Sequence, residues 1–380
     1  MDLVAGRTFA AERRPIRHLD PVLLLVTGAL SIIGLLAIYS STRSALITLG
    51  ADPMVYVKKQ IAALVLGILL LLIIATFDYR FFKVYAGFIY AATVLMLVLV
   101  RVPGIGSSAN GAQRWFQFAG FQLTPSEFAK ISLVLMLAAM LSELRTAEPI
   151  VPDLIRICGV AIVPMILVFI QPDIGTTIAL AAIVVGILVV AGTRTRHLLA
   201  LALTAIVMIA LVFQLHVVRT YQLARITAFL DPQNSADTGA YNRQQAEIAV
   251  GSGGIFGRGY LNGTQTNLNY VPEQHTDFIF TVVGEEFGFV GAAFVLALFA
   301  ILIWRAIRIS YLSKDPFGTY VAAGIAAMFA IQMFVNVGMV VGIMPITGIP
   351  LPFVSYGGTA MLANFIGVGL VLNVHMRRFK

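Results

Sequence analysis

Charge is scarce in this sequence. Asp, Glu, Lys and Arg make up 12% of its 380 residues, about half the share of a soluble domain, which excludes the ordinary globular classes. Cysteine is nearly absent: Cys158 stands alone inside an apolar run, which excludes an intrachain disulfide and a cysteine metal cluster. A stretch long enough for a separate soluble domain is missing too, because apolar runs recur from residue 21 to the C-terminus. The first run follows a basic tail and is too long for the core of a signal peptide, and no small-residue cleavage site follows it. It is expected to stay as a first span.

Apolar residues fill the space that charge leaves. They make up 59% of the chain, with a mean hydropathy of +0.90, the signature of a polytopic membrane protein. The fold class is therefore all-α, since helices satisfy their own backbone in lipid. Runs of spanning length predict transmembrane helices over 21–40, 60–77, 83–102, 127–143, 154–170, 174–191, 197–216, 281–304, 319–342 and 358–375, ten in all. The expected organisation is a tail (1–20), one transmembrane domain (21–376) and a short C-terminal end (377–380), with the long loop 217–276 as a cover.

The net charge of +8 raises the question of nucleic acid, and its sidedness answers it. Arg7, Arg13, Arg14 and Arg17 lie in the tail, and Arg194, Arg196, Arg305, Arg308, Arg377 and Arg378 lie in segments that alternate onto the same side. On the other side, outside the long loop, Arg43, Lys58, Lys59, Arg101 and Arg114 lie in or beside the two earlier loops, and 171–173 and 343–357 hold no Lys or Arg. Basic residues mark the cytoplasmic side, so both termini are expected in the cytoplasm and no nucleic-acid partner is called for.

The unusual polar residues gather in the later outer loops, 103–126, 171–173, 217–276 and 343–357. In the first, Arg114 and Trp115 lie between aromatics, and Trp115 reads equally as an interfacial anchor or a substrate contact. Thr124-Pro125-Ser126-Glu127 is a good helix start. Lys130 follows about one turn below it, where it would snorkel, pair with a carboxylate or bind a phosphate. Asp173 reads as a helix cap or as part of the same outer site. In the long loop, Arg243 lies at the polar start of a short helix that runs into Gly251-Ser252-Gly253-Gly254, a turn that presents N–H groups to a phosphate or is simply flexible.

Val271-Pro272-Glu273-Gln274-His275-Thr276-Asp277-Phe278 then carries the polar loop into an apolar segment. An ionisable group at such a boundary is costly unless it is used, so Asp277 is the central candidate, with a cap as the bland alternative. The segment 276–309 is longer than one crossing needs, so a bent or re-entrant first part is expected. The uncharged loop 343–357, with Pro345, Pro350 and Pro352, reads as a rigid apolar lip ending in Ser355 and Tyr356. Such a lip suits a lipid chain or a partner helix.

Taken together, Gln113-Arg114-Trp115, Pro125-Ser126-Glu127-Phe128-Ala129-Lys130, Gln171-Pro172-Asp173-Ile174-Gly175-Thr176, Ala249-Val250-Gly251-Ser252-Gly253-Gly254, Pro272 to Phe280 and Gly348 to Thr359 resemble the SEDS family (shape, elongation, division and sporulation). The resemblance runs from residue 20 to 376. It implies a peptidoglycan glycosyltransferase that polymerises lipid II outside the cytoplasmic membrane beside a class B penicillin-binding protein. The short tails point to the elongation branch rather than the division branch. Matched position by position, the family's essential aspartate falls on Asp277, its neighbour on Glu273, its polar fourth-span groups on Ser126, Glu127 and Lys130, and its loop tryptophan on Trp115.

On this reading Asp277 is the catalytic base. Glu273, Lys130, Glu127, Ser126, Arg114, Trp115, Arg243, Asp173 and Ser355 are expected to contact substrate. A divalent cation (Mg2+ or Mn2+) held by carboxylates would share the neutralisation of an undecaprenyl-pyrophosphate-linked glycan, and membrane lipids surround the rest. A lipid II flippase is the main rival, but transporters usually carry midplane polar groups and repeated halves. A scaffold for the penicillin-binding protein is a third reading, and it would not need these ionisable groups.

Overall fold

The computed structural model describes residues 19–109, 112–118, 121–144, 148–214, 229 and 238–378. The basic tail, Arg219, Arg225 and most of 215–237 lie outside the described residues. Helices fall where the apolar runs do: α1 (Pro21–Thr48), α2 (Val55–Thr76), α3 (Tyr79–Leu99), α4 (Pro125–Ser142), α5 (Val151–Ile170), α6 (Ile174–Val190) and α7 (Thr195–Gln214). Two short helices, α8 (Thr238–Ser252) and α9 (Thr264–Asn267), precede α10 (Ile279–Tyr311), α11 (Pro316–Val340) and α12 (Gly358–Arg377). Among the described residues, 8 helices are long and apolar enough to cross a membrane. The other two expected spans, α6 and α7, carry shorter apolar stretches.

Helix starts follow local chemistry. Asp20 accepts hydrogen bonds from the N–H groups of Val22 and Leu23 at 3.1 Å, with Pro21 in the first turn, and Asp315 does the same for Gly318 at 2.8 Å ahead of Pro316. Each cap satisfies N–H groups that a helix cannot pair internally. The bundle is layered by burial: 89% of the apolar window of α12 is buried, against 17% for α3. Thus α12, α4 and α11 form the interior, and the lipid-facing helices keep their Leu, Ile and Phe side chains exposed.

Of three further features, the first and third depart from the sequence reading, and the second is the bend it expected, now placed. The loop 103–126 contains an antiparallel sheet, β1 (Ser107–Ala109), β2 (Ala112–Phe118) and β3 (Phe121–Leu123), in the order β1-β2-β3, so the all-α bundle carries one small strand layer. Secondly, α10 is broken at Gly288, whose φ of 65° and ψ of −162° are not helical. The break exposes backbone groups, and the glycine-rich turn takes them up: Arg258 and Gly259 donate N–H to the carbonyls of Glu285 and Glu286 at 3.0 Å, while Phe289 and Val290 donate to Gly254 and Ile255 at 2.9 and 3.1 Å. A non-helical segment at this depth survives only with such partners. The amides of Gly253 and Gly254 donate to the Val250 and Gly251 carbonyls at 3.2 and 3.4 Å, and those of Arg258 and Gly259 serve the helix break.

Thirdly, 343–357 is not a surface lip. Ile349, Leu351, Phe353 and Val354 are buried, and a Cβ on Gly34 of α1 would lie 2.6 Å from the Phe353 carbonyl oxygen. The prolines do prevent a helix, but the apolar side chains drop into the bundle between α1, α11 and α12, where Phe353 packs on Phe329 and Phe365 with ring centroids 5.5 Å apart.

Candidate active site

One end of the bundle collects the outer-loop candidates. The hub is Asn336, fully buried near the end of α11, whose Nδ2 donates to the carbonyls of Asp277 and Ile349 at 2.8 Å each. One side chain thus fixes the Asp277 segment against the re-entrant 343–357 loop. Tyr356 N–H donates to the His275 carbonyl at 2.9 Å. Gln60 of α2 donates to the Ser355 carbonyl at 3.1 Å and accepts from Gly357 N–H at 3.2 Å. The rings of Tyr56, His275 and Tyr356 close the group, with centroids 5.0 to 5.5 Å apart. Burial there holds the His275 imidazole below its ordinary pKa, partly opposed by the charge on Glu273.

Asp277 is half-buried, in the turn that leads into α10. The N-cap of α10 is Phe278, with no side-chain cap bond, so Asp277 does not occupy the cap position. Glu273 takes a left-handed φ of 50°, and its carbonyl accepts from Asp277 N–H at 3.1 Å, which folds the four intervening peptides into a tight turn.

The neighbouring loops attach to this hub. Arg114 on β2 donates from Nε to the Gln171 carbonyl at 2.7 Å and from its other guanidinium end to Pro172, so it clamps the 171–173 turn. Asp173 accepts from Thr176 N–H and from its hydroxyl at 2.9 Å; the cap reading of this residue is the observed one. A Cβ on Gly175 would meet Ile349 at 2.5 Å, which places that turn beside the hub. Trp115, half-buried, stands on β2 opposite Ser107. Thr359 at the start of α12 accepts from Thr124 N–H at 3.2 Å and donates to the Gln122 carbonyl at 2.7 Å, which holds the head of α4 in place.

Below that head, Ser126, Glu127 and Lys130 are all buried, and Lys130 Nζ is 2.8 Å from Glu127 Oε2. Of the three roles open to Lys130, pairing is what the structure displays. Arg243 on α8 pairs with Glu247 at 2.8 Å, donates to the Phe229 carbonyl and packs against Gly342 just past α11. Ser355 is buried, its hydroxyl accepting from Leu351 N–H at 2.8 Å. Among the described residues no three His, Cys, Asp or Glu side chains converge as a metal site.

Glu285 and Glu286 hold the cover. Glu285 accepts from the N–H groups of Gln265 and Thr266 at 2.8 and 3.0 Å and from the Thr266 hydroxyl at 2.8 Å, so its charge caps α9. Glu286 accepts from Ser40 of α1. Asn336 and Gln60 were not singled out from sequence, because each is a lone amide within an apolar run. Their one signal was the cost of burying an amide without a partner.

An apolar groove of about 350 Å³ runs along α3, α4 and α12, from Phe82 to Met96 and Phe128, the residue after Glu127.

Comparison with known proteins follows the same architecture. The family model for FtsW, RodA and SpoVE, described as cell cycle protein, matches residues 21–380. The probable peptidoglycan glycosyltransferase FtsW of Trichlorobacter lovleyi is 36% identical over 95% of both chains. The peptidoglycan glycosyltransferase MrdB of Escherichia coli K12 is 34% identical over 95% of this chain and 94% of its own. Among solved structures, a chain from a peptidoglycan synthase complex that coordinates polymerization and crosslinking superposes with a TM-score of 0.79 at 30% identity, covering 95% of this chain and 99% of its own. Thermus thermophilus rod shape determining protein RodA gives 0.70 at 29% identity, covering 95% and 98%.

Proposed function

We propose a role that starts from one fact: the chain belongs to the SEDS family of cell cycle proteins, the family of FtsW, RodA and SpoVE. It is a multi-pass membrane protein and a peptidoglycan glycosyltransferase. Its substrate is lipid II, it works at the outer face of the cytoplasmic membrane with both termini inside, and its partner is a class B penicillin-binding protein. The resemblance to a chain of a polymerization and crosslinking complex supports that pairing. Within the family it takes the elongation role, supported by the near full-length match to RodA; division is the second reading, favoured by the identity to FtsW.

In the reaction an acceptor sugar hydroxyl attacks the anomeric carbon of a lipid-linked glycan, the bond to pyrophosphate breaks, and configuration inverts. Asp277 takes the hydroxyl proton as general base. Lys130, Arg114 and Arg243 provide positive charge toward the departing pyrophosphate. Glu273 and Asp277 would hold a divalent cation, Mg2+ or Mn2+, which would add charge neutralisation toward the pyrophosphate. Polyprenyl tails lie in the apolar groove that ends at Phe128, so only sugars and phosphates need reach the polar end.

The carrying observation is the double hydrogen bond of Asn336, which fixes the Asp277 turn on the loop that closes the outer end. The test is lipid II polymerisation by purified protein with its penicillin-binding partner, wild type against Asp277→Ala. Glycan strands from wild type and none from a folded, partner-binding mutant are expected. Normal polymer from the mutant overturns the base, and lipid II crossing vesicles without polymer would make the protein a flippase. Complementation of cells depleted of RodA or of FtsW separates elongation from division.

A further inference from the structure

The opposite end of the bundle holds a second polar assembly that the reaction does not use. Asp20, buried at the start of α1, is gripped by Arg305 near the end of α10, through Nε at 2.9 Å and a second guanidinium nitrogen, and His375 Nδ1 lies 4.0 Å away. Two other carboxylates of this end are committed as well: Asp78 to Arg377 at 3.2 Å, and Asp315 to Tyr79 and Arg80. Arg308 and Arg378 add positive charge to the Asp20–Arg305 pair. Burial and the proximity of Arg305 and Arg308 hold Arg378 below the ordinary arginine pKa, with Asp20 opposing. Arg308 is the exposed member of this group, so an anion would reach the cluster beside it and be favoured there.

The surface beside this crowd is lipid-facing. Ile301, Trp304, Arg308 and Tyr311 recur at helical spacing and form one stripe of α10; Trp304 is 53% exposed and Tyr311 87% exposed. The guanidinium of Arg308 sits 5.4 Å from the Trp304 ring centroid and that of Arg305 sits 5.7 Å from it. Tryptophan and tyrosine mark the headgroup level, and the apolar part of the stripe leads from it toward the hydrocarbon. We propose that Trp304, Arg308 and Arg378 bind the phosphate of an anionic phospholipid headgroup, with an acyl chain laid along Ile301 and Trp304. A soluble anion would need the arginines but not the exposed apolar stripe leading up to them. The site requires only that this end lie at headgroup depth, so it stands independently of the catalytic reading.

The chain has two tryptophans, so Trp115→Phe leaves Trp304 as the fluorophore. The experiment places that protein in phosphatidylcholine nanodiscs and compares quenching by brominated phosphatidylglycerol with quenching by brominated phosphatidylcholine at equal mole fraction. Phosphatidylglycerol is expected to quench as if enriched about fivefold for each arginine engaged. Arg308→Gln at its exposed position should remove about one such factor, Arg308→Gln with Arg378→Gln should bring the two lipids to parity, and the paired lysine variants should restore the preference. Equal quenching in the unsubstituted arginine background overturns the site. A preference abolished by inorganic phosphate at matched ionic strength also overturns it, because the site would then hold a soluble anion.

Discussion

Lys130 and Glu127 form an ion pair with almost no solvent to screen it, their side chains 2% and 9% exposed. Removing one partner leaves a bare charge in the interior, at a cost of about 3–5 kcal/mol, whereas exchanging both for apolar groups of similar volume is often neutral. Lys130→Ala is therefore expected to lower the melting temperature sharply, and Lys130→Met with Glu127→Leu to restore it. If the pair serves substrate, the restored protein makes no glycan; a double variant that polymerises at the wild-type rate would reduce the pair to packing. His275 carries a separate, pH-dependent cost. Its pKa is depressed in the fold by burial, so the folded state disfavours the proton that the unfolded chain takes up near 6.5. Stability is expected to be complete above that value and to fall as pH drops through it, by at most about 1.4 kcal/mol per pH unit. Melting curves from pH 8 to 5 check this, and His275→Gln should flatten the acid side.

At the scale of elements, the break in α10 and the turn at 253–259 are one construction. A Cβ on Gly288 would sit 2.3 Å from the Gly257 nitrogen, and its backbone already occupies a region open to glycine alone. Gly288→Ala is expected to cost more than the roughly 1–3 kcal/mol of backbone strain, because the turn must also withdraw its hydrogen bonds. Limited proteolysis within 253–259 should then become faster than in wild type; unchanged cleavage and melting would show that the break tolerates a side chain. The length of 276–309 made a bend legible in the sequence but not its position, because Gly284, Gly288 and Gly291 all lie in that stretch. The helices themselves were legible, because runs of apolar residues have few other fates in lipid. The depth of 343–357 was not, since three prolines announce irregular backbone without saying where it lies. Gln60 and Asn336, which make that depth tolerable, look like ordinary amides in apolar runs. Arg114 was expected to contact substrate, and only the fold reveals that it holds carbonyls of the 171–173 turn.

For the molecule as a whole, the two ends of the bundle have opposite characters, and that polarity is testable without any enzymology. One end joins loops around Asn336 and Gln60, with the Arg114 clamp and the Lys130–Glu127 and Arg243–Glu247 pairs beside them. The other joins helix ends through Asp20–Arg305, Asp78–Arg377 and Asp315–Arg80. Lys and Arg are retained on the cytoplasmic side during insertion, so the Asp20–Arg305 end, where the basic helix ends gather, should be inside and the Asp277 end outside. With Cys158→Ser as background, Tyr270→Cys, exposed beside the Asp277 turn, and Lys314→Cys, exposed between α10 and α11, become single reporters of the two faces. An impermeant maleimide on intact spheroplasts is expected to label Tyr270→Cys and spare Lys314→Cys, and inverted vesicles should reverse the pattern. Labelling of Lys314→Cys from outside would put Asp277 in the cytoplasm, away from any growing wall, and the polymerase reading would fall with it. The expected pattern would leave Asp277 on the outer side that the polymerase reading requires, at the end of the bundle where Asn336 and Gln60 tie the loops together.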